Sequence, residues 1–117
     1  TRPKPFMLYR NLELLDVGPI HSVIKVDDTI SGIREGFAAG CWTVGVARYS
    51  NYMDMDSMEQ AEAMSEQEIQ VRLQKTRQIL KDSGAHYVVD SITDLPGVIE
   101  QINERLKKGE CPNGTSR

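Results

Sequence analysis

The apolar positions change their period several times along the chain, and each change marks an element. Leu8, Leu12 and Leu15 recur at helical spacing behind Pro3 and Pro5, and Gly18-Pro19 closes that helix. Residues 22–26, "SVIKV", form a short β-rich run. Ile33 and Phe37 then share a helical face, with Ser31 placed to cap that helix and Gly40 to end it. "CWTVGV", 41–46, is a second β-rich run without alternation, as a strand covered on both faces requires. Residues 48–64 are polar and methionine-rich and read as a loop with one short helical turn. "SEQE", 65–68, is a capping box, and the helix it opens carries Ile69, Leu73, Thr76 and Leu80 on one stripe before Gly84. "HYVVD", 86–90, predicts a third strand. "SITDLPG" opens a last helix whose expected buried face is Leu95, Ile99, Ile102 and Leu106.

The predicted order is α-β-α-β-α-β-α. Alternation with short connections implies an α/β fold, here about three parallel strands flanked by helices on both faces. Ligands of such sheets bind beyond the carboxyl ends of the strands. Residues 1–108 read as one unit and 109–117 as a polar tail expected to fray.

Composition narrows the function classes. The chain has 117 residues, 26% of them charged, and a formal net charge of −3. With no long basic run, neither nucleic acid nor an acidic membrane surface is an expected partner. Arg105, Lys107 and Lys108 fall near a helix C-terminus, where they complement its dipole. Cys41 and Cys111 form neither a disulfide framework nor a zinc spacing, so a reducing cytoplasm is the expected compartment. No apolar stretch approaches a membrane span and no signal peptide is visible. The opening "TRPKPF" reads as the middle of something longer.

The informative stretch is "KVDDTISG", 25–32. It places Asp27 and Asp28 side by side at the tip of an apolar strand. One acidic residue ahead of Ser31 needs only a capping role. Two adjacent carboxylates repel, and a divalent cation is a reason to gather them. Magnesium prefers one or two carboxylates plus waters and phosphate oxygens.

The unit "KVDDTISGIREGFAAGCWTVGVARYSN" resembles the fourth motif of the haloacid dehalogenase superfamily, an acidic strand end followed by a helix and a strand. "TRPKPFMLYRNLELLDV" resembles its third motif, with Arg2 at the basic position. A closer resemblance, from Arg2 to about Ile102, is to the phosphonoacetaldehyde hydrolase (phosphonatase) family. It rests on "RPKPFMLYRN", "VIKVDDT", "AGCWTVGV" and the late "SGAHYVVDSITDLP". A response-regulator receiver domain shares the acidic strand end. The long helix-strand-helix insert between Asp28 and Asp90, and the lack of later strands, count against it.

The resemblance implies the C-terminal part of a Rossmann-like haloacid dehalogenase core, from an enzyme that cleaves phosphonoacetaldehyde to acetaldehyde and phosphate. Asp28 matches a Mg2+ ligand, with Asp27 as a possible auxiliary. Arg2 matches the residue that balances phosphate charge, and Thr29 is a candidate to orient groups at the substrate. Two positions depart from the family's pattern. Asp27 stands where glycine is usual, and Gly32 where a second acid is usual. The family's nucleophilic Asp, its Ser/Thr motif and the cap domain with its Schiff-base Lys have no counterpart, and would precede Thr1. The chain alone is therefore expected to be inactive, and to pair with an N-terminal half or with itself through an open strand edge. The alternative is a non-catalytic folding or interaction module.

Overall fold

The computed structural model describes residues 20–48, 50, 53 and 64–114. The expected first helix around Leu8–Leu15 lies outside these residues. The elements are β1 (Ile24–Asp27), α1 (Ile30–Ala39), β2 (Trp42–Val46), α2 (Glu66–Asp82), β3 (Tyr87–Val89) and α3 (Leu95–Lys107). Short 3-10 turns at Ile20–Ser22 and Ile92–Asp94 precede β1 and α3. All three strands run parallel in the order β1-β2-β3, with Ile24 beside Trp42 and Val46 beside Val89.

β2 is buried along its whole length, and its side chains divide between two cores. Trp42, Val44 and Val46 pack with Val89, Val98 and Ile102 under α3. On the opposite face Ile33, Ala47, Leu73, Leu80 and Ala85 pack together beneath α1 and α2, joined by Met53 from the polar loop. Burial on both faces explains why the sequence of β2 shows no alternation. Ile69, Leu73, Thr76 and Leu80 of α2 all face this core, as their spacing predicts.

Three local expectations differ. Ser31 lies inside α1 and does not cap it; Thr29 does. Thr29 has extended backbone angles, and its Oγ1 accepts a hydrogen bond from the Gly32 amide at 3.1 Å. Phe37 is 47% exposed and does not join Ile33 in the core. Its ring stacks at the margin on His86. In α3, Val98 is buried and Ile99 is 36% exposed, because the stripe centres on Val98 and Ile102, flanked by Leu95 and Leu106. Ser65 accepts from the Glu68 amide as a capping residue should. Gly40 and Gly84 take left-handed angles at the ends of α1 and α2, which a side chain would disfavour.

The tail is tied down as far as Pro112, which is buried. The Pro112 carbonyl meets His86 Nε2 at 2.5 Å. On the other side of the ring, the Thr43 amide donates to Nδ1 at 3.0 Å. A ring nitrogen that accepts carries no proton, so the Nε2–H tautomer satisfies both contacts. Arg105 does more than serve a helix dipole. Its guanidinium lies 4.5 Å from the centre of the Trp42 ring and bonds the Tyr87 hydroxyl and Glu110.

α1 approaches the sheet closely at Gly36. A Cβ there would lie 2.7 Å from Lys25 Cγ and 2.9 Å from Thr43 Cγ2. Gly36→Ala is expected to destabilise the chain by about 1–3 kcal/mol through overpacking, despite alanine's better helix propensity. Denaturant unfolding measures it. Burial, aided by the charges of Arg105 and Lys81, holds the His86 imidazole below its ordinary pKa of 6.5, although the Pro112 carbonyl opposes this. The unfolded chain therefore binds a proton near pH 6.5 that the folded chain refuses, and stability should fall as pH drops below that point. His86→Gln should flatten this slope in unfolding curves taken between pH 7.5 and 5.

Candidate functional site

The carboxyl ends of the strands frame a recess of about 390 Å³ lined by Val26, Asp27, Asp28, Val46, Ser91 and Ile92. The two carboxylates raised by the sequence have different surroundings. Asp27 is the last residue of β1, and its side chain is 13% exposed. Alternation along β1 sends Ile24 and Val26 toward the α3 core and Lys25 and Asp27 toward α1. Asp27 Oδ1 accepts two hydrogen bonds from Thr29, one from its amide at 2.8 Å and one from its hydroxyl at 2.7 Å. Asp27 Oδ2 lies 3.6 Å from Lys25 Nζ, which also stands 3.8 Å from the buried Glu35 carboxylate.

Asp28 is exposed. Its carbonyl oxygen accepts a 2.8 Å hydrogen bond from Ser50 Oγ, which clips the long loop to the strand end. Among the described residues, no donor approaches the Asp28 carboxylate. The pair thus separates into an internal carboxylate, balanced by a lysine and two Thr29 donors, and an external one whose oxygens no described residue engages. Like charges one residue apart are tolerable because Lys25 offsets one of them.

Thr29 touches the site through Asp27. Its hydroxyl donates to Asp27 and accepts from Gly32, so both functions are engaged. Arg2 lies outside the described residues. The structure adds groups the sequence reading passed over. Lys25 and Glu35 were legible only as a strand lysine and a helix glutamate, since nothing along the chain announces that they meet. At the tip of β3, the Asp90 carboxylate receives two hydrogen bonds from the Arg77 guanidinium, at 2.6 and 2.5 Å. This contact, with the charges of Arg77 and Arg48, holds Asp90 below its ordinary pKa, and partial burial opposes it only in part. The Arg48 amide also donates to the Asp90 carbonyl, which joins β3 to the start of the loop.

No protein-family model matches the chain. Comparison with individual proteins is decisive. Over 111 residues, 95% of its length, the chain is 40% identical to a phosphonoacetaldehyde hydrolase of Syntrophobacter fumaroxidans and 43% identical to one of Salmonella typhimurium. It is a homologue of phosphonoacetaldehyde hydrolases. It spans about 40% of the length of these relatives. A crystal structure of a phosphonoacetaldehyde hydrolase-like protein from Oleispira antarctica superposes with a TM-score of 0.87 at 46% identity, again over 95% of this chain and 40% of that one. The three parallel strands and their helices are accordingly those of a haloacid dehalogenase-type phosphonatase fold.

The Arg77–Asp90 fork sets a measurable expectation. The Asp90 carboxyl should titrate below its ordinary 3.8 in a carbon-detected NMR titration. Arg77→Gln should return it toward that value. The fork's contribution to stability is present at neutral pH and is lost as pH falls through the depressed pKa of Asp90.

Proposed function

We propose that this chain forms the C-terminal part of the core domain of a phosphonoacetaldehyde hydrolase-type enzyme, which hydrolyses a carbon–phosphorus bond to give acetaldehyde and phosphate. The reading rests on one observation above others: at a strand's carboxyl end, in a homologue of these enzymes, Asp28 is exposed and its carboxylate is engaged by none of the described residues. A single exposed carboxylate suits magnesium, which takes one or two carboxylates and completes its shell with water and phosphate oxygens. Among the described residues there is no cluster of three ligating side chains. Asp28 is thus one ligand of a site completed by other parts of the protein. When bound, the ion would offset charge on the phosphoryl oxygens.

This chain's own residues position and balance. Asp28 holds the cation. Asp27, tied to Thr29 and Lys25, supports the loop from inside. Thr29 orients that loop from its capping position. Arg2, at the family's basic position, has the role of balancing phosphoryl charge, for which a guanidinium is suited. Ile92, 64% exposed on the rim of the recess, supplies apolar wall. The nucleophilic Asp and the Schiff-base Lys belong to the part of the family's length that this chain does not span, so the chain alone does not turn over substrate. The remainder docks on the outer edge of β1, which carries no neighbouring strand among the described residues. In its absence, copies of the chain associate there. A cytoplasmic location accords with two free cysteines, and burial pushes the Cys41 thiol up to about 11. No helix of the described residues is long and apolar enough to cross a membrane.

Phosphate release from phosphonoacetaldehyde is the test, with this chain alone and with an N-terminal half from a phosphonatase relative. The chain alone is expected to be silent and the pair active with Mg2+. Asp28→Asn should reduce the pair's rate by at least about a hundredfold. An active pair indifferent to Asp28→Asn would remove the role given to that residue. Failure of every pairing to release phosphate would favour a non-catalytic module.

A further inference from the structure

Residue 32 has no room for a side chain. A Cβ built on Gly32 would overlap Asp27 Oδ2 and Cγ. Gly32 is the third residue of α1, is fully inside the helix and is buried. It has no left-handed backbone angle to explain a glycine. The three atoms a Cβ would meet first all belong to the Asp27 carboxylate, so that carboxylate is the first obstacle to a side chain.

That carboxylate is also held in place from three sides. Thr29 donates to Oδ1 twice, and Lys25 stands beside Oδ2. Lys25 is itself wedged, because its Cβ and Cγ are the atoms that a Cβ on Gly36 would strike. The buried Glu35 carboxylate completes the chain of charges. Asp27 cannot simply swing away to admit a larger residue at 32 without losing these contacts.

We propose that positions 27 and 32 share one side-chain volume, and that Asp27 is a positioning residue. It enters from the strand, fills the space under the first turn of α1 and fixes Thr29, which sets the backbone from which Asp28 projects. In this proposal Asp27 is what makes glycine necessary at 32. An acidic group can therefore stand at this spot from the strand or from the helix, but not from both. The importance of the spot for Asp28 rests on the function proposed above; the shared volume does not.

The test is a double-substitution cycle on the 117-residue chain, read by thermal unfolding. Gly32→Ala should lower Tm by roughly 5 °C or more. In an Asp27→Gly background the same substitution should leave Tm unchanged or raise it, because alanine favours a helix once the volume is free. An equal loss in both backgrounds overturns the proposal. If Gly32→Ala does not fold, recovery of a cooperative transition in D27G/G32A is the supporting result, and failure of both variants overturns it. The positioning role has its own signature. The Thr29 amide proton resonance should shift in Asp27→Gly and return in Asp27→Asn, which keeps an acceptor of the same shape. A Thr29 resonance indifferent to Asp27→Gly removes that role. Broadening of the Asp28 amide by added Mn2+ is followed in parallel. Its absence in the unaltered chain counts against the cation site, while the Tm cycle still decides the shared volume.

Discussion

The close approach of α1 to the sheet is the constraint on which the rest of this arrangement hangs. At Gly36 the helix backbone lies over Lys25 and Thr43 with no space for a methyl group, and at Gly32 it lies over Asp27 in the same way. Glycines four residues apart fall on one helical face, so the two contacts together set the height of α1 above β1. That height determines where the turn between them begins, and Asp28 and Thr29 are that turn. A bulkier face on α1 would lift the helix, detach Thr29 from Asp27 and leave the strand end without a defined exit. Side chains above the β1–β2 pair are correspondingly small or slender on this face, and the large ones, Trp42 above all, lie under α3.

Two charges at a strand tip seemed at first to call for a single explanation, and the structure supplies two. Asp27 belongs to the interior. Its charge is matched by Lys25 and its oxygens by Thr29. Both aspartates line the recess, but Asp28 is the exposed one. Asp27 and Gly32 are physically tied, since a side chain at 32 would overlap the Asp27 carboxylate.

Much of this was legible in the chain because local rules and burial agreed. The three strands, the α2 stripe and the glycine ends of α1 and α2 follow from periodicity and backbone freedom, and tertiary packing did nothing to override them. Misreadings arose where two local solutions were near equal. Thr29 and Ser31 are both good caps, and the choice fell to Thr29 because Asp27 anchors it in the extended conformation a cap needs. Val98 and Ile99 are both apolar, and packing against the sheet buried Val98 with Ile102 and left Ile99 at the margin. What periodicity could not reach was long-range. The meeting of Lys25 with Glu35, of Arg77 with Asp90, and of His86 with Pro112 links residues whose spacing carries no pattern. The family resemblance pointed to Asp28, and geometry showed what surrounds its neighbour Asp27.

The strand that ends in Asp27 is also the one whose outer edge carries no partner among the described residues. A segment that paired with it would order the backbone one residue from Asp28. A ligand held by Asp28 would order the same backbone from the other side. Two binding events that stabilise one conformation are thermodynamically linked, and each raises the affinity of the other by the same factor. In such an arrangement assembly and ligand capture are a single cooperative equilibrium, and the two-residue turn of Asp28 and Thr29 is the place where they are coupled.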